Sequence, residues 1–256
     1  MDQRAAIQAT KKKSELPISR LFPNIITIIA ICFGFTSVRY ALNQQWDMAV
    51  IFIIIAGFLD VVDGRLARFL KATSNFGAQL DSLADFVNFG IAPALTLYLW
   101  TLNKIEIKEL GWALALSYTI CTAIRLARFN VDSTEEGKSN WKTGFFIGVP
   151  SPAGAYLAIM PIMLSFENNI MNYINSFAIG IYLVIVGIMM ASRMPTFATK
   201  KLAIRRENIS LALVSTGLII VAITIKPWVF LPLFGIAYLS SIPFSIRAYH
   251  KLETQD

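Results

Sequence analysis

The sequence predicts an all-α polytopic membrane protein, a bundle of about eight transmembrane helices with both termini in the cytoplasm. Apolar residues make up 55% of the 256 residues and charged residues only 15%. The mean hydropathy of +0.58 lies well above that of soluble domains. Several apolar runs reach the roughly 20 residues that a helix needs to cross a hydrocarbon core of about 30 Å.

Three parts follow one another along the chain. Residues 1–22 predict a basic, weakly amphipathic cytoplasmic segment suited to anionic lipid headgroups. Residues 23–246 predict one integral membrane domain, and residues 247–256 a cytoplasmic tail. The predicted spans are Ile25–Leu42, about Met48 into the acid-bearing segment that starts at Asp60, Phe76–Trp100, Leu110–Ala127, Phe145–Phe166, Ile174–Ala191, Ile209–Ile225 and Trp228–Ile246.

The fifth predicted span is the least regular. Pro150, Pro152 and Pro161 interrupt its apolar run, and proline removes a backbone donor and kinks a helix. We therefore expect a kinked helix over Phe145–Phe166.

The positive charges support this topology independently. Lysine and arginine accumulate in cytoplasmic loops, and most of them fall in segments that the eight-span arrangement places inside. The outer segments hold only Arg39, Lys104, Lys108 and Lys226. The net charge of +7 is thus explained by topology and lipid attraction. No basic segment is interleaved with aromatic residues, so a nucleic-acid partner is not expected.

One window breaks the apolar pattern. Four of the sixteen acidic residues, Asp60, Asp63, Asp81 and Asp85, lie within it. A carboxylate in a membrane span costs several kcal/mol unless it is paired, hydrated or bound to metal. Packing alone does not explain four of them, and the positive-inside pattern places the window at the cytoplasmic face.

Helical spacing brings these acids together. The polar segment 72–75 predicts a turn between two antiparallel helices, with Ser74 or Asn75 capping the second one. A turn centred near Thr73 puts the acids of both helices in one layer, about 8 to 10 Å apart between axes. The two predicted stripes are Asp60, Asp63, Gly64, Ala67 on the first helix and Gly77, Asp81, Asp85 on the second.

The donor set predicts hard cations. The only histidine, His250, lies in the polar tail, and the two cysteines have no metal-ligand spacing. An oxygen-only site favours Mg²⁺ or Mn²⁺, and two such ions would balance four carboxylates. Paired ions can clamp the oxygens of a displacement at phosphorus. Arg68 could reach a phosphate or could anchor the helix at the membrane interface.

The pattern Asp60-x-x-Asp63-Gly64-x-x-Ala67-Arg68, eight residues, then Gly77-x-x-x-Asp81-x-x-x-Asp85 resembles the signature of the CDP-alcohol phosphotransferase family. The resemblance implies a homodimeric enzyme that transfers a phosphatidyl or similar group from a CDP-linked donor to an alcohol and releases CMP. It implies a six-helix core, to which the predicted bundle adds two helices. It also implies that Asp60, Asp63, Asp81 and Asp85 hold two divalent cations and that Asp85 is the base. Gly64, Ala67, Arg68 and Gly77 would then bind the CDP-lipid donor.

Two further stretches bear on the acceptor alcohol. Arg125-Leu-Ala-Arg128-Phe-Asn130 and the segment 146–154 resemble the phosphatidylserine synthase branch of this family. The implied substrates are CDP-diacylglycerol and L-serine, at the cytoplasmic side of the cytoplasmic (inner) membrane. Arg125, Arg128 and Asn130 are the candidate acceptor-binding residues, since a cation suits the carboxylate of serine.

Other interpretations stay open at this point. Arg125 and Arg128 could serve only as positive-inside anchors. The same arginines could also bind another acceptor alcohol, glycerol 3-phosphate or an inositol phosphate. A cation transporter would also place acids in its spans, although it would be expected to spread them over several helices at mid-membrane depth.

Overall fold

A computed structural model of the protein describes residues 21–134, 145–167, 174–197 and 209–253. Helices dominate these residues. The α-helices are α1 (Phe22–Leu42), α2 (Trp46–Phe69), α3 (Asn75–Asp85), α4 (Ala92–Trp100), α5 (Lys108–Thr134), α6 (Ser151–Glu167), α7 (Ser176–Ala191), α8 (Ile209–Ile225) and α9 (Pro227–Glu253). A π-helical turn, Phe86–Ile91, joins α3 to α4 in one continuous helix.

Apart from the beginning of the fifth span, each predicted apolar run contains a helix, and the protein is a helical polytopic membrane protein. Four of the described helical segments are both long and apolar enough to cross a membrane: Phe22–Leu42, Asn75–Trp100, Glu109–Asp132 and Pro227–Tyr249. α2 has 24 residues, enough to span, but carries the charges of the acidic window. α7 and α8 are apolar but shorter. The number of spans and the cytoplasmic placement of both termini remain predictions.

The chain ends are only partly described. Residues 1–20 of the predicted amphipathic segment and the final residues 254–256 lie outside the described part. α9 continues to Glu253, so most of the predicted C-terminal tail is helical.

The prediction for the fifth span is wrong at its beginning. Residues Phe145–Ile147 form a strand, β1, which pairs antiparallel with β2 (Pro195–Phe197), and α6 begins only at Ser151. The reason lies in Gly148, whose φ of +77° is incompatible with a right-handed helix. Pro152 instead occupies the first turn of α6, where a missing N–H costs nothing. The short β1–β2 pair is thus an addition to the predicted all-α architecture.

Replacement of Gly148 with alanine is expected to destabilise the protein by about 1–3 kcal/mol. A Cβ at this position would lie 2.6 Å from the carbonyl oxygen of Met190 and 2.8 Å from that of Ser192, in addition to the strain of a positive φ. Thermal unfolding in detergent micelles measures the effect. Gly217→Ala is the matched control, because Gly217 lies in α8 with open space around its Cα. An unfolding temperature for Gly148→Ala equal to that of the control would contradict the assignment.

α6 forms the centre of the bundle. Leu157, Ile159, Ile162 and Met163 are completely buried, and the helix packs against α2, α4, α7 and α9. α8 is the opposite case, since it packs against α9 yet buries none of its residues. An apolar helix with no buried face is typical of one surrounded by lipid.

Candidate active site

The acidic window folds as a helical hairpin made of α2 and α3. Lys71 adopts a left-handed conformation with φ of 49°, which ends α2. The N–H of Ala72 then donates a hydrogen bond of 2.9 Å to the carbonyl oxygen of Ala67. Ser74 then caps α3, because its Oγ accepts a hydrogen bond of 3.0 Å from the N–H of Gly77. The predicted turn and its serine cap are therefore confirmed.

The hairpin brings the acids of the two helices together. Ligand oxygens of Asp60, Asp63 and Asp81 all lie within 4.8 Å of one another. The carboxyl group of Asp85, one helical turn beyond Asp81, interacts electrostatically with those of Asp60 and Asp81. The four carboxylates form one group, called the acid cluster below.

α1 completes one side of the acid cluster. The Thr27 hydroxyl donates a hydrogen bond of 2.6 Å to Oδ2 of Asp63, a residue that is only 3% exposed. Sequence reasoning missed Thr27, because the hydrogen bond joins residues 36 positions apart. The sequence itself shows only a threonine within the apolar first span.

The acid cluster fits a hard divalent cation. Oδ1 of Asp63 and Oδ1 of Asp85 are buried and have no hydrogen-bond partner among the described residues. Buried charges of one sign are strongly unfavourable unless a cation or a hydrogen bond compensates them. Carboxylate oxygens are the ligands preferred by Mg²⁺ and Mn²⁺. The structure thus holds a candidate divalent-cation site.

Replacement of Thr27 with valine is expected to lower the stability of the metal-free protein by about 1.5–3 kcal/mol, the usual contribution of a hydrogen bond to a charged group. Valine keeps the shape of threonine but leaves Oδ2 of Asp63 without its donor. Unfolding in micelles containing a chelator measures the change. Thr27→Ser restores the hydroxyl and is expected to recover most of it; equal losses in both variants would assign the effect to packing alone.

A cavity of about 190 Å³ opens beside the acid cluster, between α1, α2 and α3, and is called the hairpin pocket below. Asp63 and Asp81 form one wall. Three of the predicted donor-binding residues, Gly64, Ala67 and Gly77, line it as well. A side chain at Gly64 would meet nothing within 4 Å, so Gly64 keeps open space beside the acids rather than permitting a close helix contact.

Arg68, the fourth predicted donor residue, does not line this cavity. Its side chain is exposed, and its Nε donates to the carbonyl oxygen of Gly64 at 2.9 Å. The guanidinium therefore lies at the rim of the hairpin.

The three predicted acceptor residues do not form one group. Arg125 is buried, donates from Nε to the carbonyl oxygen of Val149 at 2.6 Å, and donates from Nη1 to the Ser151 hydroxyl. Its charge acts on Asp60 and Asp85. Arg125 thus fixes the start of α6 and places a positive charge beside the acid cluster.

Arg128 and Asn130 have other neighbours. Arg128 donates to the carbonyl oxygens of Ala191 at 2.7 Å and Ser192 at 2.9 Å, at the carboxyl end of α7. A cation at this position stabilises the end of a helix. Asn130 donates to the hydroxyl of Ser82, the residue after Asp81, at 3.0 Å.

A second cavity of about 190 Å³ lies between the ends of α5 and α7. Its lining includes two arginines and one acid, Arg128, Arg193 and Asp132, together with Ile147 of β1. We call it the arginine pocket. Sequence reasoning counted Arg193 only as a positive-inside charge, because its proximity to α5 depends on the pairing of β1 with β2.

The π-helical turn follows the acid cluster directly. It frees backbone carbonyl groups, and two hydroxyls of α5 satisfy them: Tyr118 donates to the carbonyl oxygen of Phe89 at 2.8 Å and Thr119 to that of Gly90 at 3.3 Å. π-helical turns are rare and are often found at functional sites.

The fold and the site together define a class, a polytopic helical membrane protein with a partly buried carboxylate cluster suited to divalent cations. The chain belongs to the CDP-alcohol phosphatidyltransferase family, whose model matches residues 20–191. A second model, CDP-alcohol phosphatidyltransferase 2, matches residues 209–243. The predicted family is confirmed, and the protein is an enzyme of the phosphatidyltransferase class rather than a cation transporter.

Several similar proteins carry the same description, CDP-diacylglycerol–serine O-phosphatidyltransferase. The one from Mycobacterium tuberculosis is 32% identical over 229 residues, which cover 90% of this chain and 79% of the relative. That from Helicobacter pylori is 34% identical over 183 residues, 71% of this chain and 74% of the relative. That from Bacillus subtilis is 38% identical over 149 residues, 56% of this chain and 79% of the relative.

Proposed function

We propose that the protein transfers the phosphatidyl group of CDP-diacylglycerol to the hydroxyl of L-serine, giving phosphatidylserine and CMP. The acid cluster is the observation that carries this function. It lies at the end of a membrane helical hairpin, in a chain similar over 90% of its length to a serine O-phosphatidyltransferase.

The hairpin pocket is proposed to hold the CDP moiety. Its glycine and alanine walls leave space next to Asp63 and Asp81. Arg68 at the rim has donors beyond the Nε–H that binds Gly64, and a guanidinium suits a phosphate oxygen. The pyrophosphate would then lie at the acid cluster.

Two divalent cations, Mg²⁺ or Mn²⁺, held by Asp60, Asp63, Asp81 and Asp85, would offset the charge on the phosphoryl oxygens and on the departing CMP. The chain itself orients these carboxylates. Thr27 fixes Asp63 through its hydrogen bond, and the charge of Arg125 acts on Asp60 and Asp85.

Asp85 is proposed as the general base. The serine hydroxyl transfers its proton to the Asp85 carboxylate as its oxygen bonds to the β-phosphorus of the donor, the phosphorus that carries the diacylglycerol. The bond from that phosphorus to the bridging oxygen breaks, and CMP leaves with the electron pair. A positioned carboxylate base contributes about 10²- to 10⁴-fold to such a step.

The arginine pocket is proposed to bind the acceptor. The serine carboxylate suits a guanidinium, and the ammonium suits a carboxylate such as that of Asp132. Arg128 already donates to two carbonyl oxygens at the end of α7, so Arg193 is the better candidate for a direct contact with the substrate. Arg125 and Asn130 would then act by supporting Asp85 and α3.

Replacement of Arg193 with glutamine is expected to raise the KM for serine about tenfold or more, with a smaller change in the KM for CDP-diacylglycerol. The loss of a charge-assisted hydrogen bond has this magnitude. Steady-state release of CMP at varied serine measures it. Arg39→Gln is the control, since Arg39 is exposed at the far end of α1. If the KM for serine is unchanged in both variants, Arg193 does not bind the acceptor.

A panel of acceptors tests the function as a whole. Purified protein is supplied with CDP-diacylglycerol, Mg²⁺ or Mn²⁺, and serine, glycerol 3-phosphate, inositol or inositol phosphate, and CMP release is measured. We expect turnover with serine. Turnover with a phosphorylated alcohol but none with serine would overturn the serine assignment, because a pair of arginines also suits a phosphate.

The placement of the enzyme is part of the same proposal. Serine would approach from the cytoplasm and the CDP headgroup of the membrane-bound donor would lie on the same side, which agrees with the predicted position of the acidic window in an inner membrane. A homodimer, as the resemblance implies, is also proposed; light scattering of the protein in detergent is the direct measurement.

A further inference from the structure

The last helix, α9, has no part in the steps proposed above. It lies beyond the family match over residues 20–191 and largely within the second match over residues 209–243. α9 packs against α6 and against the strand β2. Because α6 begins at Ser151, whose hydroxyl binds Arg125, α9 is a neighbour of the element that holds this arginine.

Two side-chain contacts fix α9 to α6. The Tyr156 hydroxyl of α6 donates a hydrogen bond to the carbonyl oxygen of Leu231 on α9. Nearer the start of α9, the rings of Phe166 and Trp228 meet edge to face, with 4.7 Å between their centroids. A side chain of α9 can therefore hold a group near α6 in a defined position.

The Tyr238 hydroxyl of α9 is buried and has no hydrogen-bond partner among the described residues. Its ring lines an apolar cavity of about 350 Å³, where the only other polar lining side chain is that of Tyr156, already bonded to Leu231. The Thr196 hydroxyl lies nearby but donates to the carbonyl oxygen of Gly148 at 3.0 Å. Buried tyrosine hydroxyls normally have a partner, so a partner for Tyr238 has to come from the side away from the cavity.

Arg125 is the cation with which Tyr238 interacts electrostatically. Its guanidinium donates from Nε to Val149 and from Nη1 to Ser151. The same group lies over the Phe129 ring, with 5.9 Å from Cζ to the ring centroid. Nη2 makes no hydrogen bond to the described residues. An arginine has five N–H donors, so the unused donors of Arg125 and the lone pairs of the Tyr238 oxygen are complementary.

The position of Arg125 matters because its charge acts on Asp85, the proposed base. The hydrogen bonds to Val149 and Ser151 hold the guanidinium from the side of α6 alone. A further hydrogen bond from the side of α9 would fix the plane of this group and its distance from Asp85. Hydrogen bonds of an active site are often completed only in the substrate complex.

We propose that Tyr238 is a positioning residue, whose hydroxyl oxygen accepts a hydrogen bond from Nη2 of Arg125 in the substrate-bound enzyme and thereby holds the guanidinium at Asp85. This inference rests on the proposed function, in which Asp85 takes the proton of serine. Tyr238 acts on the reaction through Arg125 and binds neither substrate. Its loss therefore changes kcat rather than KM. The inference also gives α9 a part in catalysis.

Tyr238→Phe tests the proposal in purified full-length protein. We expect kcat for CMP release to fall about tenfold, the effect of losing a hydrogen bond to a charged group. The KM values for serine and CDP-diacylglycerol are expected to stay within about twofold of wild type. The unfolding temperature in micelles containing a chelator is expected to match that of wild type, because the hydroxyl makes no hydrogen bond to the described residues that the change could break.

Tyr156→Phe is the matched control, since it makes the same chemical change on the same interface. It removes the hydrogen bond to Leu231, so we expect an unfolding temperature lower by about 2–4 °C and a kcat within about twofold of wild type. If Tyr238→Phe lowers the unfolding temperature as Tyr156→Phe does and leaves kcat unchanged, Tyr238 only packs α9 against the bundle and the inference is wrong.

A double-mutant cycle tests whether Tyr238 acts through Arg125. Arg125→Lys keeps the charge but removes the guanidinium, and in this background Tyr238→Phe is expected to change kcat less than twofold. Ser151→Ala provides a second background, which removes only the acceptor of Nη1. There the effect of Tyr238→Phe is expected to exceed tenfold, because the guanidinium loses two of its anchors. If Tyr238→Phe has the same effect in these backgrounds as in wild type, Tyr238 does not act through Arg125.

The outcomes separate this inference from the proposed function. No CMP release from CDP-diacylglycerol and serine by the wild-type protein would refute the function itself. Normal release by wild type, with equal kcat in Tyr238→Phe and Tyr156→Phe, would leave the function intact and refute the positioning role of Tyr238.

Discussion

Asparagine at position 85 is expected to lower the rate of CMP release by about 10²- to 10⁴-fold, the contribution of a positioned general base. Asparagine keeps the size of the side chain but cannot take the proton of the serine hydroxyl. Oδ1 of Asp85 is buried and has no hydrogen-bond partner among the described residues, so the change breaks no hydrogen bond of that oxygen and the variant should fold. Single-turnover assays with CDP-diacylglycerol and serine measure the rate, and size-exclusion chromatography and thermal unfolding check the fold.

Asp47→Asn is the matched control for this experiment. Asp47 lies on the same helix as Asp60 but is exposed in its first turn, about 20 Å from the acid cluster. The same chemical change there should leave the rate within about twofold of wild type, because a surface charge at a helix start contributes only about 0.3–1 kcal/mol to stability. Substantial turnover by Asp85→Asn would show that Asp85 is not the general base.

Removal of divalent cations is expected to abolish activity, and Asp81→Asn to weaken the binding of Mn²⁺ by at least about tenfold. Asp60, Asp63 and Asp81 offer oxygens within 4.8 Å of one another, and the loss of one takes away a negative charge and a ligand. Electron paramagnetic resonance counts free Mn²⁺ during titration of the protein without any lipid substrate. We expect two Mn²⁺ per chain for wild type and for Asp47→Asn.

The stoichiometry decides between related outcomes. One tightly bound Mn²⁺ per chain would retain the metal site but refute the two-ion arrangement. Unchanged Mn²⁺ binding in Asp81→Asn would exclude Asp81 as a ligand, even if the variant were inactive.

The elements that depend on local pattern could be predicted from the sequence. The apolar runs predicted the helices, the polar segment at 72–75 predicted the turn, and the Ser74 cap is confirmed. Helical periodicity also predicted that the acids of the two helices would share one layer, and the structure brings Asp60, Asp63 and Asp81 together. Such predictions succeed because 3.6-residue periodicity and turn chemistry act within a few residues.

Features that depend on long-range packing could not be predicted. The hydrogen bond from Thr27 to Asp63 joins α1 to α2, and the pairing of β1 with β2 joins segments about 50 residues apart. The arginine motif illustrates the same limit. The local spacing of Arg125 and Arg128 suggested a common ligand, but the former binds the start of α6 and the latter the end of α7. Which partner a long side chain reaches is decided by the neighbouring helices.

The π-helical turn after Asp85 sets a limit on the length of this helix. It contains one residue more than a regular helix would need, and the hydroxyls of Tyr118 and Thr119 bind the carbonyl groups that it frees. Deleting a residue from Phe86–Ile91 would restore regular α-helix and rotate Asp81 and Asp85 by about 100° relative to the buried face of α4. A change in the number of residues in this turn would therefore displace the acids even if every side chain around them stayed the same.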